Sequence, residues 1–233
     1  MARRKAGGKT RLRLLGAVLL VAIVAGGYGW WHLLRWQPDR AAFPVQGVEI
    51  GSNDKDVKWR ALKAVGADFA YIDASASAFA RDPEFSKNLE KAHAAKMQVG
   101  AVHRYDPCQP ADKQATNFVT VVPRDAKLLP PAVELGITAD DCPVKVSDAA
   151  VESELTTFLN QIETHTGKPA ILKLLPGFQD RYAMASRVDR NLWLVQTRRQ
   201  PDYAGRPWTL WTANTGLKTA IAENGLRWLV VQP

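Results

Sequence analysis

The stretch VQGVEIGSNDKDVKWRALKAVGADFAYIDA, Val45–Ala74, decides the fold. It holds two short apolar runs, VQGVEI (Val45–Ile50) and FAYIDA (Phe69–Ala74), on either side of an amphipathic segment from about Asp54 to Val65. That reads as strand, helix, strand, and two strands joined through a helix pair in parallel. The rhythm continues outward. A helix is expected from Asp82 to Ala95, with Pro83 in its first turn, where a missing N–H costs nothing. A strand at Met97–Tyr105, a helix at Ala111–Val122 and the strand PAVEL (Pro131–Leu135) follow. Ser147 caps a long helix to about His165, in which Phe158, Ile162 and His165 fall at helical spacing. After PAILKLL (Pro169–Leu175) come a short helical stretch and strands near Asn191–Gln196, Trp208–Ala213 and Trp228–Gln232. Helices thin out after residue 190, so the pattern predicts an α/β, TIM-like (β/α) barrel with an irregular last third rather than an open sheet.

Ahead of the barrel lies a different composition. Arg3, Arg4, Lys5, Lys9, Arg11 and Arg13 precede LLGAVLLVAIVAGGYGWWHLL, Leu14–Leu34, which contains no Asp, Glu, Lys or Arg. About 20 apolar residues span a bilayer's hydrocarbon core. The cations hold the N-terminus on the cytoplasmic side, and Trp30, Trp31 and Trp36 fall where an interfacial aromatic belt would lie. A signal peptide cut after Val24-Ala25-Gly26 is the rival reading, but it would leave an apolar GYGWWHLLRW terminus. The division expected is a cytoplasmic basic segment (1–13), a transmembrane signal anchor (14–34), a linker (35–44) and the barrel (45–233). This places a single-pass protein in the inner membrane with its globular part in the periplasm.

The net charge of +8 over 233 residues invites a nucleic-acid reading. Residues 1–40 hold eight Lys/Arg and one Asp, leaving 23 Lys/Arg and 22 Asp/Glu in the remainder. The basicity belongs to the anchor, and a nucleic-acid surface on the barrel is not supported. The two cysteines, Cys108 and Cys142, both follow the anchor, and an exported pair suits a disulfide rather than free thiols. Such a bridge would contribute on the order of 3–4 kcal/mol. The four histidines (His32, His93, His103, His165) are scattered and none has zinc-ligand spacing with either cysteine, so no metal or cofactor is implied.

In a βα barrel functional groups sit at the C-terminal ends of the strands. Those ends offer Glu49, then Asp73, then His103 and Tyr105, then Glu134 with Gly136 two residues on, and Trp228 on the last strand. Residues i and i+2 share a strand face, so an acidic pair at 134 and 136 would share one pocket; here one member has no side chain. Tyr105, Trp211 and Trp228 are candidates to stack on a ligand ring, with His103 and Asp73 beside them. The plain alternatives are a core histidine, a strand-end carboxylate bonded to loop amides, and core aromatics.

Read in order, GVEIGSNDKDVKWRALKAVGADFAYIDAS, DPEFSKNLEKAHAAKMQVGAVHRYDPCQP, NFVTVVPRDAKLLPPAVEL, GKPAILKLL, LWLVQ and PWTLWTAN resemble the glycoside hydrolase family 25 lysozymes over about residues 45–233. The resemblance implies a barrel that cleaves peptidoglycan between N-acetylmuramic acid and N-acetylglucosamine. It implies an Asp on the first strand, an Asp-x-Glu on the fourth and an Asp on the last. Carried over singly, the first Asp falls on Glu49, the Asp of Asp-x-Glu on Glu134, the general-acid Glu on Gly136 and the last Asp approximately on Trp228. A further Glu falls near Ala76. Glycoside cleavage needs a proton donor and a group that stabilises the oxocarbenium-like centre. Losing the general acid forfeits about 10²–10⁴ in rate, and shifting the second carboxylate by about an ångström costs on the order of 10² more.

The expectation is therefore a membrane-anchored lysozyme-like domain that recognises peptidoglycan glycan strands, with hydrolysis weak or lost. An active, divergent muramidase using Glu134 and Glu49 is the first alternative. An envelope scaffold that binds a protein partner is the second.

Overall fold

The computed structural model describes residues 7–54 and 56–233. Arg3, Arg4 and Lys5 of the basic segment lie outside the described residues. The chain forms two compact units, one ending at Trp36 and one spanning Gln37–Pro233.

The first unit is a single helix, α1 (Gly7–Leu34). Its section Leu12–Leu34 is 23 residues long and, by length and composition, sufficient to cross a membrane. At 1.5 Å per residue that is roughly 35 Å, beyond the ~30 Å of a hydrocarbon core. Near its C-terminal end Tyr28 stacks on Trp31, and the Arg35 guanidinium sits 4.6 Å over the same indole.

The second unit is a barrel. Its elements are β1 (Gln46–Ile50), α2 (Trp59–Ala64), β2 (Phe69–Ala76), β3 (Ala80–Arg81), α3 (Phe85–Ala94), β4 (Gln98–Arg104), α4 (Ala111–Val121), β5 (Ala132–Leu135), α5 (Asp148–Thr166), β6 (Ile171–Leu174), α6 (Pro176–Tyr182), α7 (Met184–Arg187), β7 (Asn191–Val195), β8 (Leu210–Thr219) and β9 (Ala222–Val231). Strands β1, β2, β4, β5, β6, β7 and β8 run parallel in that order; β9 lies antiparallel between β8 and β1 and closes eight strands into a ring. Strand β3 only folds back on the end of β2 as a short hairpin. The antiparallel closure is the irregular last third that the thinning helices foretold.

The barrel is filled by one inward residue or more from nearly every strand: Phe69 and Tyr71, Val102, Ala132, Ile171, Trp193, Leu210 and Leu229. At β1 the chain supplies Gly47, and a Cβ there would lie 2.6 Å from the Phe69 ring. The aromatic ring occupies the volume that the glycine leaves. Outward residues such as Val48, Val133 and Leu172 are fully buried under the helices, as a parallel sheet covered on its outer face requires.

Local signals mostly hold. Ser147 Oγ accepts the Ala150 N–H at 3.2 Å and opens α5, which Gly167 ends in the left-handed conformation. Three elements differ from expectation. Helix α3 starts at Phe85, so Pro83 stands ahead of it rather than in its first turn. Helix α2 starts at Trp59, because Asp54 is instead in a 3₁₀ turn, where its carboxylate takes the Gly51 N–H at 2.7 Å. The closing hairpin runs ten residues per strand, longer than Trp208–Ala213 and Trp228–Gln232 suggested. Cys108 and Cys142 are disulfide-bonded, with Cα atoms 5.3 Å apart. The bridge ties the loop after β4 to the loop after β5, both at the C-terminal end of the barrel.

Candidate active site

Two residues beyond the apolar filling, the same inward face changes character on most strands. It presents Glu49 on β1, Asp73 on β2, Arg104 on β4, Glu134 on β5, Lys173 on β6, Thr212 on β8 and, on antiparallel β9, Arg227. Period-two alternation thus stacks a charged layer directly on the barrel core, at the end where barrel sites form.

The charges are paired with one another. Lys173 Nζ donates to Glu49 Oε1 at 2.5 Å and to Glu134 Oε2 at 2.6 Å. Arg104 Nη2 donates to Asp73 Oδ2 at 2.6 Å, and its Nε lies 3.8 Å from Glu134 Oε1. Arg227 reaches Asp54 at 3.1 Å, Asp73 at 3.5 Å and Glu49 at 3.7 Å. Three cations and four carboxylates form one continuous lattice. Lys173 also sits 4.9 Å over the Trp193 ring, so the ammonium rests on a π face below and two carboxylates beside it.

The electrostatics follow from burial and partners. Burial alone would raise the Glu49 carboxyl, but the charges of Lys173 and Arg227 outweigh it and hold it below its ordinary value. Asp73 goes the other way, pushed up by burial and by the negative charge of Glu49, against Arg227 and Arg104. Burial disfavours the Lys173 ammonium, yet Glu49 and Glu134 more than offset this and keep it charged. Within this layer two buried carboxylate oxygens have no hydrogen-bond partner among the described residues, Glu49 Oε2 and Asp73 Oδ1.

Of the residues singled out in the sequence, Glu49, Glu134 and Asp73 meet in this layer. Gly136 directly follows β5 and lies beside Leu175, whose Cδ2 would be 3.0 Å from an added Cβ. Four other expectations are corrected. His103 faces outward, between Ser75 Oγ at 2.8 Å and Gln114 at 3.3 Å, against Phe118 and Phe158; burial pushes its imidazole down to about 4. Tyr105 packs on Phe158 and is buried. Trp211 is buried against Phe43 and Trp208 and donates to the Gln196 carbonyl. Trp228 is fully buried on the outer face, its Nε1 donating to Gln46 Oε1 at 2.6 Å. All four are buried in the packing of the barrel's outer side rather than set in the charged layer. The inward residue of β9 at this level is Arg227, one position earlier.

Arg104, Lys173 and Arg227 were not anticipated. The signal was present for Lys173 alone: a lone cation in the apolar run ILKL must find a carboxylate or leave the sheet. Beside the charged layer a cleft of about 140 Å³ is lined by Ser52, Asp73, Arg81, Asp82 and Arg104.

A glycosidase needs one carboxyl holding a proton and another free to act on the sugar or on water. Here Glu49 and Glu134 both pair with the one ammonium of Lys173, and position 136 carries no side chain.

Comparison with known proteins agrees with this architecture. The sequence model of the glycosyl hydrolases family 25 matches residues 48–215. The fold superposes on a family 25 glycosyl hydrolase from Bacillus anthracis with a TM-score of 0.76 and 25% identity, covering 85% of this chain and 93% of that one. A bacterial lysozyme from Streptomyces coelicolor matches with a TM-score of 0.70 at 19% identity, covering 81% and 92%, a likeness of fold. The uncharacterised protein YegX of Escherichia coli is 22% identical over 177 residues, which cover 73% of this chain but 63% of the relative's own length. With most of the barrel matched by the family model and the barrel's topology shared with its solved members, the chain belongs to glycosyl hydrolase family 25.

Proposed function

We propose that this protein is a peptidoglycan-directed member of family 25 in which the groove is kept for wall recognition and muramidase hydrolysis is lost or residual. One observation carries the reading: Lys173 neutralises both carboxylates, Glu49 and Glu134, that stand at the family's acidic positions, while the third position is Gly136. A substrate would have to displace a buried ion pair before meeting a carboxylate. The cost is several kcal/mol, since breaking such a pair strands a buried charge. In the same reading, residues 14–34 anchor the protein in the inner membrane, 35–44 form a linker and 45–233 work in the periplasm. The apolar helix and the disulfide support that placement.

The test is direct. The full chain in detergent is incubated with purified peptidoglycan while reducing ends are measured, and a parallel sample is sedimented with the polymer. The expected result is co-sedimentation without reducing ends above background. Release of reducing ends that vanishes in Glu134→Gln would overturn the loss of hydrolysis. Absence of co-sedimentation would overturn the wall-binding reading.

A further inference from the structure

The cleft beside the charged layer is a built site rather than a gap. At about 140 Å³ it is close to the ~150 Å³ that accommodates a benzene-sized ligand, a group of roughly six heavy atoms. Its charged lining is balanced in number, with Arg81 and Arg104 against Asp73 and Asp82. Such a lining favours a group bearing both charges and repels in part a group bearing only one.

Each wall is fixed. Arg81 Nε donates to Asn117 Oδ1 at 2.8 Å, and the buried Asn117 amide in turn donates to the carbonyls of Ala80 at 2.9 Å and Ser77 at 3.2 Å. A single residue of α4 therefore pins the β2–β3 hairpin and aims its arginine. Ser77 holds a positive φ of 52° and donates from Oγ to Asp106 at 2.8 Å, so the hairpin is held in a costly conformation. Asp82 uses both oxygens on the Ser52 and Glu84 N–H groups. Asp73 does not: Oδ2 is on Arg104, and the buried Oδ1 has no partner among the described residues. At the hairpin turn Phe79, next to the cleft-lining Ala80, is 74% exposed.

We propose that this cleft binds a free α-amino-acid terminus, with its carboxylate between Arg81 and Arg104, its ammonium on Asp73, and Phe79 covering the apolar chain behind it. The proposal rests on the peptidoglycan reading and names the peptide part of the wall, rather than its glycan, as what this cleft selects.

Calorimetric titration of the full chain in detergent tests it with three probes. They are a disaccharide–peptide fragment whose peptide bears a side chain ending in a free α-amino acid, with its ammonium and carboxylate both unmodified, the same fragment with that carboxyl amidated, and the disaccharide alone. The intact fragment is expected to bind at least tenfold more tightly than either other probe. Arg81→Gln is expected to lower the affinity for the intact fragment about tenfold, and the amidated probe decides the matter on the unaltered protein if that variant fails to fold. Equal affinity for all three probes overturns the amino-acid cleft and leaves glycan recognition standing. Binding of none overturns both.

Discussion

At Lys173 three demands meet. It stands in a strand whose neighbours are apolar, it is buried, and it is bonded to carboxylates contributed by β1 and β5. Removing one member of such a set leaves the others stranded, typically at a cost of 3–5 kcal/mol. Lys173→Met should therefore lower the urea-unfolding free energy by about that much, and pairing it with Glu49→Gln should recover part of the loss. Additive losses in that cycle would show that the two residues are not coupled. His103 gives the pH counterpart. Its imidazole is held neutral by burial down to about 4, against 6.5 ordinarily. Its folded pKa is depressed, so the unfolded chain takes up the proton first as pH falls. Stability is complete above 6.5 and declines between 6.5 and 4, by up to roughly 3 kcal/mol. Urea midpoints measured across that window should show the decline, and His103→Gln should flatten it. At this scale the sequence was only partly legible. Glu49, Asp73 and Glu134 were visible as strand-end carboxylates, but the cation joining two of them lies 124 positions from Glu49, and no local pattern joins residues so far apart. Trp228 was placed on the wrong face because strand alternation has a period of two, and a slip of one residue exchanges inside for outside.

At the scale of the element, β5 and β6 explain why restoring one side chain would not restore an enzyme. A glutamate at position 136 would press its Cβ on Leu175 at 3.0 Å, and its neighbour Glu134 would remain on Lys173. Gly136→Glu alone is thus expected to release no reducing ends from peptidoglycan. Strand β1 shows the opposite constraint. Gly47→Ala would bring a Cβ within 2.6 Å of the Phe69 ring in a filled barrel. Overpacking of that kind costs about 1–3 kcal/mol, readable as a lowered melting temperature. The strand–helix alternation was legible because apolar runs and amphipathic stretches differ in period, and the cap at Ser147 because its chemistry is local. The β8–β9 hairpin was read short, since polar residues such as Asn214, Lys218 and Asn224 interrupt the apolar pattern that marks a strand.

At the scale of the whole molecule, the disulfide and the apolar helix set the conditions in which the barrel works. Reducing the bond between Cys108 and Cys142 should remove on the order of 3–4 kcal/mol. For a domain of this size that lowers the melting temperature by on the order of 10 °C, measurable by calorimetry with and without reductant. If residues 14–34 remain as an anchor, alkaline carbonate leaves the protein in the membrane pellet; release of a chain lacking its first residues would identify a cleaved signal instead. The ring itself imposes an order on biogenesis. Strand β1 bonds to β9 across more than 180 positions, Trp228 reaching back to Gln46. An emerging chain therefore presents β1 with one unsatisfied edge until almost all of the barrel has been synthesised. Throughout that interval Glu49 also lacks Arg227, its partner across the closing seam.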